Sequence, residues 1–157
     1  MRIRRVVRAV LLTSEELVLL LKIEEPVSGR QFWITPGGEV EQGEDAKACM
    51  RRELEEETGL EDAKVGPLMW TRRHVFEWNN QKIDQQEEYY LVETDLFEPT
   101  MEGNPALGEK SAFRGFRWWS VEDIKCSSEL FAPRRIGELL EALIRKGAPE
   151  EPFDVGI

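Results

Sequence analysis

Cysteine and histidine are scarce in this chain of 157 residues. It contains two cysteines, Cys49 and Cys126, and one histidine, His74, and no C-x-x-C spacing occurs. This composition argues against a disulfide framework and against a zinc site made of Cys and His ligands. The chain also lacks a secretory apolar segment. We therefore expect a cytoplasmic protein with reduced thiols.

Long apolar runs are also lacking, since "LVLLL" at 17–21 is far too short to cross a bilayer. Acidic residues outnumber basic ones by 31 to 21, which gives a net charge of −10. Such a charge disfavours binding to anionic membranes and to long nucleic acid. We expect a small-molecule ligand, and an anionic one would need a local basic patch or a bridging metal ion.

No internal repeat, low-complexity tract or interdomain linker is evident in the sequence. Its 41% hydrophobic and 33% charged residues are typical of a globular protein. We predict a single domain over residues 1–157, of which residues 147–157 form a loosely held tail. The sequence leaves the oligomeric state open, a homodimer included.

Apolar runs and turn residues predict strands and helices in mixed order. Strands are predicted in "RRVVRAVLLT", "ELVLLLKIE", "QFWIT" and "FRWWS", and a hairpin turns at Asn79-Asn80. Helices are predicted for about 43–58, for a short segment that Ser120 caps, and for "PRRIGELLEALIRK" with Pro133 in its first turn. Because the elements do not alternate strictly, we predict a mixed sheet covered by helices.

The stretch "RRELEEETGL" places four carboxylates within five positions near the end of a predicted helix. Negative charge there opposes the helix dipole, and Glu53 and Glu57 repel each other at i, i+4. Glu53, Glu56 and Glu57 project into one sector of the helix, while Glu55 points away. Carboxylate oxygens grouped in this way suit Mg²⁺ or Mn²⁺. The alternative for an acidic run is a solvated helix face.

The acidic stretch is part of a longer spaced pattern, G-x5-E-x7-R-E-L-x-E-E-x-G-L. Its nine fixed positions are Gly38, Glu44, Arg52, Glu53, Leu54, Glu56, Glu57, Gly59 and Leu60. This pattern resembles the signature of the Nudix hydrolases at all nine positions, and "FWITPGGEVEQGE" and "FRWWSVEDI" resemble neighbouring parts of that family. The resemblance implies an α/β (α+β type) fold, an α/β/α sandwich around a mixed sheet. It also implies hydrolysis of compounds in which a nucleoside diphosphate is linked to another group.

The resemblance also assigns metal ligands by position. Glu53 and Glu57 match the principal ligands of Mg²⁺ or Mn²⁺, and Glu56 matches a further ligand or an acid–base group. Gly38 matches the residue whose backbone carbonyl completes the site. The implied cofactor is therefore Mg²⁺, or Mn²⁺ in its place.

Other residues match supporting roles in catalysis. Arg52 and Glu44 resemble the pair that orients the ligating carboxylates. Members of the family often recruit a further carboxylate, as a ligand or as the base, from outside the signature. Glu109, in the long loop before "FRWWS", is our first candidate, and Glu87 or Glu88 on the strand "QQEEYYLV" is the alternative.

Candidate substrate contacts come from basic and aromatic residues outside the signature. Strand alternation places five of them on one face: Trp70, Arg72, His74, Phe76 and Trp78. We predict substrate contacts for Arg72, His74 and Phe76; the alternative is an exposed sheet face on which Arg72 pairs with Glu87. Arg30 is placed to reach a phosphate. Trp33 is a candidate for stacking on a base, although core packing is its alternative.

Two further residues have an open placement. Arg8 interrupts the apolar run of the first strand, so we expect it to point into a polar cavity or out of a sheet edge. Cys49 precedes Glu53 by four residues, on the same side of the helix, and we interpret it as a packing residue.

Three functions are compatible with these residues, and the first is favoured. It is a metal-dependent pyrophosphohydrolase acting on an ordinary or modified nucleoside triphosphate, with dinucleoside polyphosphates or capped RNA ends as alternative substrates. The second is an isomerase of prenyl diphosphates, a related group that relies on a catalytic cysteine. The third is a non-catalytic nucleotide-binding domain, although such domains commonly lose signature glutamates.

Overall fold

The computed structural model describes residues 1–101 and 112–157. Within these ranges the elements are β1 (Arg2–Leu12), β2 (Val18–Glu24), β3 (Gln31–Ile34), β4 (Gly37–Glu39), α1 (Ala46–Thr58), β5 (Leu68–Trp78), β6 (Gln81–Glu93), β7 (Phe113–Trp119), α2 (Val121–Cys126), β8 (Phe131–Ala132), α3 (Ile136–Lys146) and β9 (Phe153–Asp154). None of these three helices combines the length and the apolar character that a membrane crossing requires.

The strands form one mixed sheet in the order β8-β3-β2-β1-β6-β5-β9, while β4 pairs with β1 and β7 pairs with β2. β1 runs parallel to β6, β3 to β8 and β5 to β9. The other neighbouring strands are antiparallel. The predicted mixed sheet is confirmed.

Helices cover both faces of the sheet. On one face, α1 packs onto β1 and β2 through an apolar cluster that includes Val7, Ala9, Leu11, Leu19, Cys49, Met50 and Leu54. On the other face, α2 and α3 close a second cluster that includes Val10, Leu20, Trp70, Tyr89, Ile136, Leu140 and Leu143. Side chains of a strand alternate between faces, so β1 contributes to both clusters. The predicted α/β/α sandwich is confirmed.

Local signals fixed several boundaries. The Asp45 carboxylate accepts from the backbone N–H of Ala48 at 2.7 Å and caps α1, and Gly59 ends α1 with φ of 80°. The predicted hairpin turn is present, with φ of 50° at Asn79 and 64° at Asn80. Both helix caps and the turn therefore follow from residue chemistry alone.

Two helices begin later than predicted. α1 starts at Ala46 rather than near residue 43, because Asp45 rather than an earlier residue supplies the cap. α3 starts at Ile136, whose backbone N–H donates to the Pro133 carbonyl at 3.2 Å. Pro133 thus forms the turn before the helix and does not lie in its first turn.

Within residues 147–157, for which we predicted a loose tail, Phe153, Asp154 and Val155 pack onto the sheet. β9 pairs in parallel with β5, and Val155 is 1% exposed. The backbone N–H of Val155 also donates to the Thr71 carbonyl at 2.9 Å. A strand of two residues is too short to show an alternation of apolar and polar residues in the sequence. The pairing forms because β5 has an edge that would otherwise be open.

The sheet is strongly curled. The rings of Phe32 on β3 and Trp78 on β5 lie 6.4 Å apart, although β2, β1 and β6 separate the two strands. In a flat sheet this separation would be about 19 Å, four spacings of ~4.8 Å. We call the surface enclosed by this curl, beyond the part that α3 covers, the concave face.

Candidate functional site

Helix α1 gathers the predicted acidic residues around one guanidinium. Arg52 Nε donates to Glu44 Oε2 at 2.8 Å and Nη2 donates to Glu44 Oε1 at 3.0 Å. Arg52 Nη1 lies 2.9 Å from Glu53 Oε1 and 3.4 Å from Glu56 Oε2. We call the four glutamates Glu44, Glu53, Glu56 and Glu57, together with Arg52, the carboxylate cluster. Its formal net charge is −3, from four carboxylates and one guanidinium.

The backbone of β4 lies directly against this cluster. Glu57 is 6% exposed, and its Oε1 accepts from the Gly37 N–H at 2.8 Å. A Cβ atom on Gly38 would overlap the Glu53 carboxylate. Only glycine leaves that carboxylate room beside the backbone. The predicted site glycine, Gly38, thus has a steric reason in the structure.

Arg52 and Glu44 fix each other's charge. The hydrogen bonds from Arg52 lower the pKa of the Glu44 carboxyl to about 2, with help from the Glu41 backbone N–H. In return Glu44, followed by Glu53, raises the pKa of Arg52. Their bidentate contact has the geometry that an orienting pair requires.

The carboxylate cluster fits a divalent cation by the chemistry of its donors. Carboxylate oxygens and a backbone carbonyl are hard ligands of the kind that Mg²⁺ and Mn²⁺ prefer. Among the described residues, no group of three His, Cys, Asp or Glu side chains is already arranged to hold a metal ion. Arg52 instead lies against Glu53 and Glu56.

Cys49 lies beneath the cluster as a buried thiol. It is 0% exposed, and its Sγ is 3.5 Å from the Glu39 carbonyl. Burial, followed by the charge of Glu44, raises the pKa of the Cys49 thiol to about 12. The thiol is protonated at neutral pH and is therefore a poor nucleophile. This supports the packing interpretation and weighs against a cysteine-dependent isomerase.

A second charged group lies on the opposite face of the sheet, centred on Glu87. Its Oε1 accepts from Arg72 Nη1 at 2.6 Å, and its Oε2 accepts from Arg8 Nε at 3.0 Å. The Tyr89 hydroxyl at 3.0 Å and the Gln85 amide at 2.8 Å also donate to this carboxylate. We call Arg8, Arg72 and Glu87 the arginine cluster. Its formal net charge is +1.

The arginine cluster is buried and ionised. Glu87 is 4% exposed and Arg72 is 5% exposed. Burial alone would raise the pKa of Glu87, but Arg8 and Arg72 outweigh burial and lower the pKa to about 2. Two guanidiniums therefore face one carboxylate throughout the neutral pH range.

The arginine cluster adjoins the carboxylate cluster through β1 and β4. Arg8 pairs with Gly37 in the sheet, and its Nη1 donates to the Thr35 carbonyl at 3.2 Å. Burial lowers the pKa of Arg8, but Glu87, with a smaller part from Glu57, outweighs burial and raises it. Both clusters thus act on Arg8.

The sequence indicated only part of this arrangement. The predicted Arg72–Glu87 pair exists, but it is buried rather than placed on an exposed face. Arg8 points into a polar region, one of its two predicted placements. Glu87 was predicted as an alternative ligand or base and as a partner of Arg72, whereas its contact with Arg8 and the part of Gln85 were missed. The sequence signal for these contacts is the pattern Q-x-E-x-Y, because its alternation places polar side chains on the buried face of a strand.

The predicted stripe of β5 lines the concave face. His74 Nδ1 lies 3.3 Å from Arg72 Nη2, and the His74 ring stacks on Phe76 at 5.0 Å between centroids. Burial, followed by the charge of Arg72, lowers the pKa of His74. Trp70, by contrast, is 1% exposed and belongs to the core. The structure therefore brings Arg72, His74 and Phe76 together.

The other two predicted substrate contacts have different placements. Trp33 is 7% exposed, donates from Nε1 to Glu129 Oε1 at 3.1 Å, and packs edge-on against Trp119 at 5.2 Å. Trp33 is a core residue in the structure, which favours the alternative of core packing over stacking on a base. Arg30 is exposed and close enough to His74 to contribute to its lowered pKa.

The additional carboxylate is only partly located. Glu109 lies outside the described residues. Glu87 is committed to two arginines, whereas Glu88 lies on the α1 face and pairs loosely with Arg5 at 3.4 Å. In the sheet Glu88 adjoins Val7, which adjoins Gly38. Glu88 thus faces the same side as the carboxylate cluster, and it lines a cavity of about 320 Å³.

A family model for the NUDIX domain matches residues 2–143. The chain belongs to the Nudix hydrolase family. The match confirms the family that the spaced signature predicted. Membership also explains why the signature spans β4 and α1, since α1 carries most of the carboxylate cluster and the backbone of β4 lies against it.

Curated relatives and a solved structure agree with this family. The chain is 32% identical over 121 residues to the human (Homo sapiens) diphosphoinositol polyphosphate phosphohydrolase 3-beta, covering 74% of this chain and 64% of that protein. It is 27% identical over 165 residues to the RNA pyrophosphohydrolase of Rhodopseudomonas palustris (strain BisA53), covering 98% and 94%. The MutT protein from Methanosarcina mazei Go1 has the same fold, with a TM-score of 0.64 at 22% identity, covering 92% and 97%. The chain thus spans less than two thirds of the first of these relatives.

Proposed function

We propose that the protein is a metal-dependent pyrophosphohydrolase that cleaves a phosphoanhydride bond of a nucleotide, in the first instance an ordinary or modified nucleoside triphosphate. The observation that carries the proposal is the carboxylate cluster, in which Glu53 and Glu57 lie against Gly37 and Gly38. A formal charge of −3 suits a divalent cation. The two glycines beside it have no side chains, so a phosphate group can come close to that cation.

In this proposal Glu53, Glu56, Glu57 and the Gly38 carbonyl hold Mg²⁺ or Mn²⁺. The bound ion would neutralise phosphate oxygens and lower the pKa of a bound water. Arg52, anchored by Glu44, keeps the glutamates in one orientation, and removing it would let them repel one another.

Attack by water also needs a group that takes its proton. Glu109 remains our first candidate for this base, and Glu56 can act as an acid–base group from within the signature. Glu88 is the alternative, since it shares the α1 face with the carboxylate cluster. A base must come within hydrogen-bond reach of the attacking water.

Arg72, His74, Phe76 and Arg30 are the proposed substrate contacts. The curl of the sheet places the first three on a half-enclosed surface with aromatic and cationic groups side by side. Such a surface suits a nucleotide, whose base is aromatic and whose phosphates are anionic. The proposal does not include Trp33.

The test is a substrate panel with Mg²⁺ and with Mn²⁺, scored for released phosphate and pyrophosphate. The panel contains ordinary and oxidised nucleoside triphosphates, a dinucleoside polyphosphate, a nucleoside diphosphate sugar and a capped RNA. Cleavage that depends on the metal ion and is lost in Glu53→Gln would support the proposal. Nucleotide binding without any turnover would instead point to a non-catalytic domain.

A relative that aligns over 98% of the chain is an RNA pyrophosphohydrolase. We therefore add a 5′-triphosphorylated RNA oligonucleotide to the panel. The net charge of −10 opposes long RNA, and so we expect the mononucleotide to be the better substrate. A clear preference for the oligonucleotide would replace our first substrate class. A cytoplasmic location and a homodimer remain predictions.

A further inference from the structure

The concave face carries a guanidinium that its protein neighbours do not fully satisfy. Arg72 is 5% exposed, and its Nη atoms contact Glu87 at 2.6 Å and His74 at 3.3 Å. Its buried Nε has no hydrogen-bond partner. Buried N–H groups are nearly always paired, so an unpaired one at a polar surface indicates that an acceptor is missing.

Two more arginines approach the same place from other parts of the chain. Arg30 precedes β3 and Arg134 precedes α3, and both are exposed. Within residues 1–101 and 112–157 neither guanidinium has a carboxylate partner. Arg72, Arg30 and Arg134 all act on His74, where Glu87 is the opposing carboxylate. Positive charge therefore exceeds negative charge around this ring.

Aromatic walls strengthen the field of these charges. Phe76 stacks on His74, and Phe32 meets Trp78 where the curl of the sheet closes. Apolar walls exclude water, and charges then interact more strongly than they do in open solvent. Arg72 and His74 are thus partly shielded by aromatic side chains, whereas Arg30 and Arg134 are exposed at the rim.

We propose that Arg72, Arg30 and Arg134 form an anion-binding subsite around His74 that holds a phosphate group of the substrate. Because Arg72 donates to Nδ1, the neutral ring carries its proton on Nε2 and can donate it to a phosphate oxygen. Glu87 is a positioning residue, since it holds Arg72 without touching the ligand. That the ligand is the substrate rests on the proposed function.

The subsite narrows the substrate class. Arg8 contacts Glu87 and the Thr35 carbonyl and pairs with Gly37 of β4, so the subsite and the carboxylate cluster lie on opposite faces of the sheet and are connected through β1 and β4. A substrate that uses both must carry a phosphate besides the two that form the cleaved bond. A nucleoside triphosphate meets this condition, whereas a nucleoside diphosphate sugar does not.

The direct test uses inorganic pyrophosphate in the presence of EDTA, with binding measured by calorimetry. Arg134→Gln and Arg30→Gln should each weaken binding about three- to tenfold. Arg135→Gln is the matched control, because it removes the same charge from the adjacent exposed residue. Glu53→Gln should not weaken the binding of pyrophosphate, since it removes a negative charge and no cation. This separates the subsite from metal-dependent hydrolysis.

Two outcomes of this measurement would overturn the subsite. One is equal weakening by Arg135→Gln and Arg134→Gln, which would indicate attraction by overall charge. The other is binding by Arg134→Gln and Arg30→Gln within twofold of the wild type. Because both residues are exposed, misfolding would not explain either result.

Kinetics give a second and independent test. Arg134→Gln should raise KM for the nucleoside triphosphate at least threefold and leave KM for a nucleoside diphosphate sugar unchanged. Arg72→Lys, which keeps the charge but loses the planar fork, should act in the same direction, and Arg73→Gln on the opposite face should not. Equal effects on both substrates would contradict the subsite. If the wild type hydrolyses neither substrate, the proposed function is refuted, but the subsite is not.

Discussion

The carboxylate cluster and the arginine cluster combine the same two kinds of side chain in opposite proportions. In the first, one guanidinium contacts three of four carboxylates, and the fourth, Glu57, accepts from a backbone N–H. In the second, one carboxylate lies between two guanidiniums. In both, the minority ion orients the others through charge-assisted hydrogen bonds. The first cluster keeps an excess of negative charge and the second an excess of positive charge. This excess charge is what each cluster can use to bind a ligand.

The two clusters differ in their access to water. The side chain at the centre of the first, Arg52, is 28% exposed, whereas that of Glu87 is 3% exposed. Exposed charges can exchange partners with an ion from solution, but buried charges left without a partner oppose folding. Changes to the carboxylate cluster should therefore act on activity, and changes to the arginine cluster should act first on stability.

The largest effect is expected from substitutions that disrupt the carboxylate cluster. Glu53→Gln and Glu57→Gln should each lower kcat by about 10²–10⁴-fold, because each removes a charged ligand of the proposed metal ion. Both variants should fold, since they relieve like-charge repulsion at a helix C-terminus. Glu55→Gln is the control, because Glu55 is on the same helix but exposed. Turnover near the wild-type rate in Mg²⁺ would overturn the metal assignment.

The next largest effect is expected from a substitution that disrupts the arginine cluster. Glu87→Gln should lower the free energy of unfolding by about 3–5 kcal/mol, because two buried guanidiniums lose their carboxylate. Glu88→Gln, one residue away on the other face, should change it by under about 1 kcal/mol. Denaturant unfolding at pH 7 measures both. Equal losses would mean that the arginine cluster has no special role in stability.

The pH dependence of unfolding sharpens the same point. Glu87 has a pKa of about 2 in the folded protein, against an ordinary value of 4.5. Its contribution is therefore present above pH 4.5 and is lost as the pH falls towards 2. The wild type should lose stability over this window, and Glu87→Gln should lose less. Parallel curves would contradict the lowered pKa.

A smaller effect concerns the metal ion and the native state. Saturating Mg²⁺ or Mn²⁺ should stabilise the fold, by about 2.7 kcal/mol at 100 times the Kd. The rise in Tm should be smaller in Glu57→Gln and unchanged in Arg72→Lys, since only the first variant alters the carboxylate cluster. No rise in saturating Mn²⁺ would count against a metal site in the native protein.

The smallest expected effect tests the base. Glu109→Gln should lower kcat at least about tenfold, close to 1.4 kcal/mol. Unchanged metal affinity would identify a base, and a joint loss would identify a ligand. If kcat and KM both stay within about twofold of the wild-type values, Glu109 has no role in catalysis. The same measurement then moves to Glu88→Gln.

Prediction from the sequence succeeded where the determinants are local. The Asp45 cap, the turn at Asn79-Asn80 and the end of α1 at Gly59 each depend on a few neighbouring residues. The Arg52–Glu44 contact joins α1 to the loop just before it. The sequence left the placement of Trp33 open, since an aromatic residue in a short strand shows the same pattern whether it faces the core or a ligand.

The sequence by itself determined the carboxylate cluster, because its members, from Glu44 to Glu57, lie on the loop before α1 and on α1, whose helical geometry is regular. Only the tertiary structure decided the arginine cluster. Arg8 and Glu87 are 79 positions apart and meet because β1 and β6 pair in parallel. The curl that brings Phe32 to Trp78 depends on all the strands between them. Contacts between distant strands depend on which edges pair, and single-strand alternation does not contain that information.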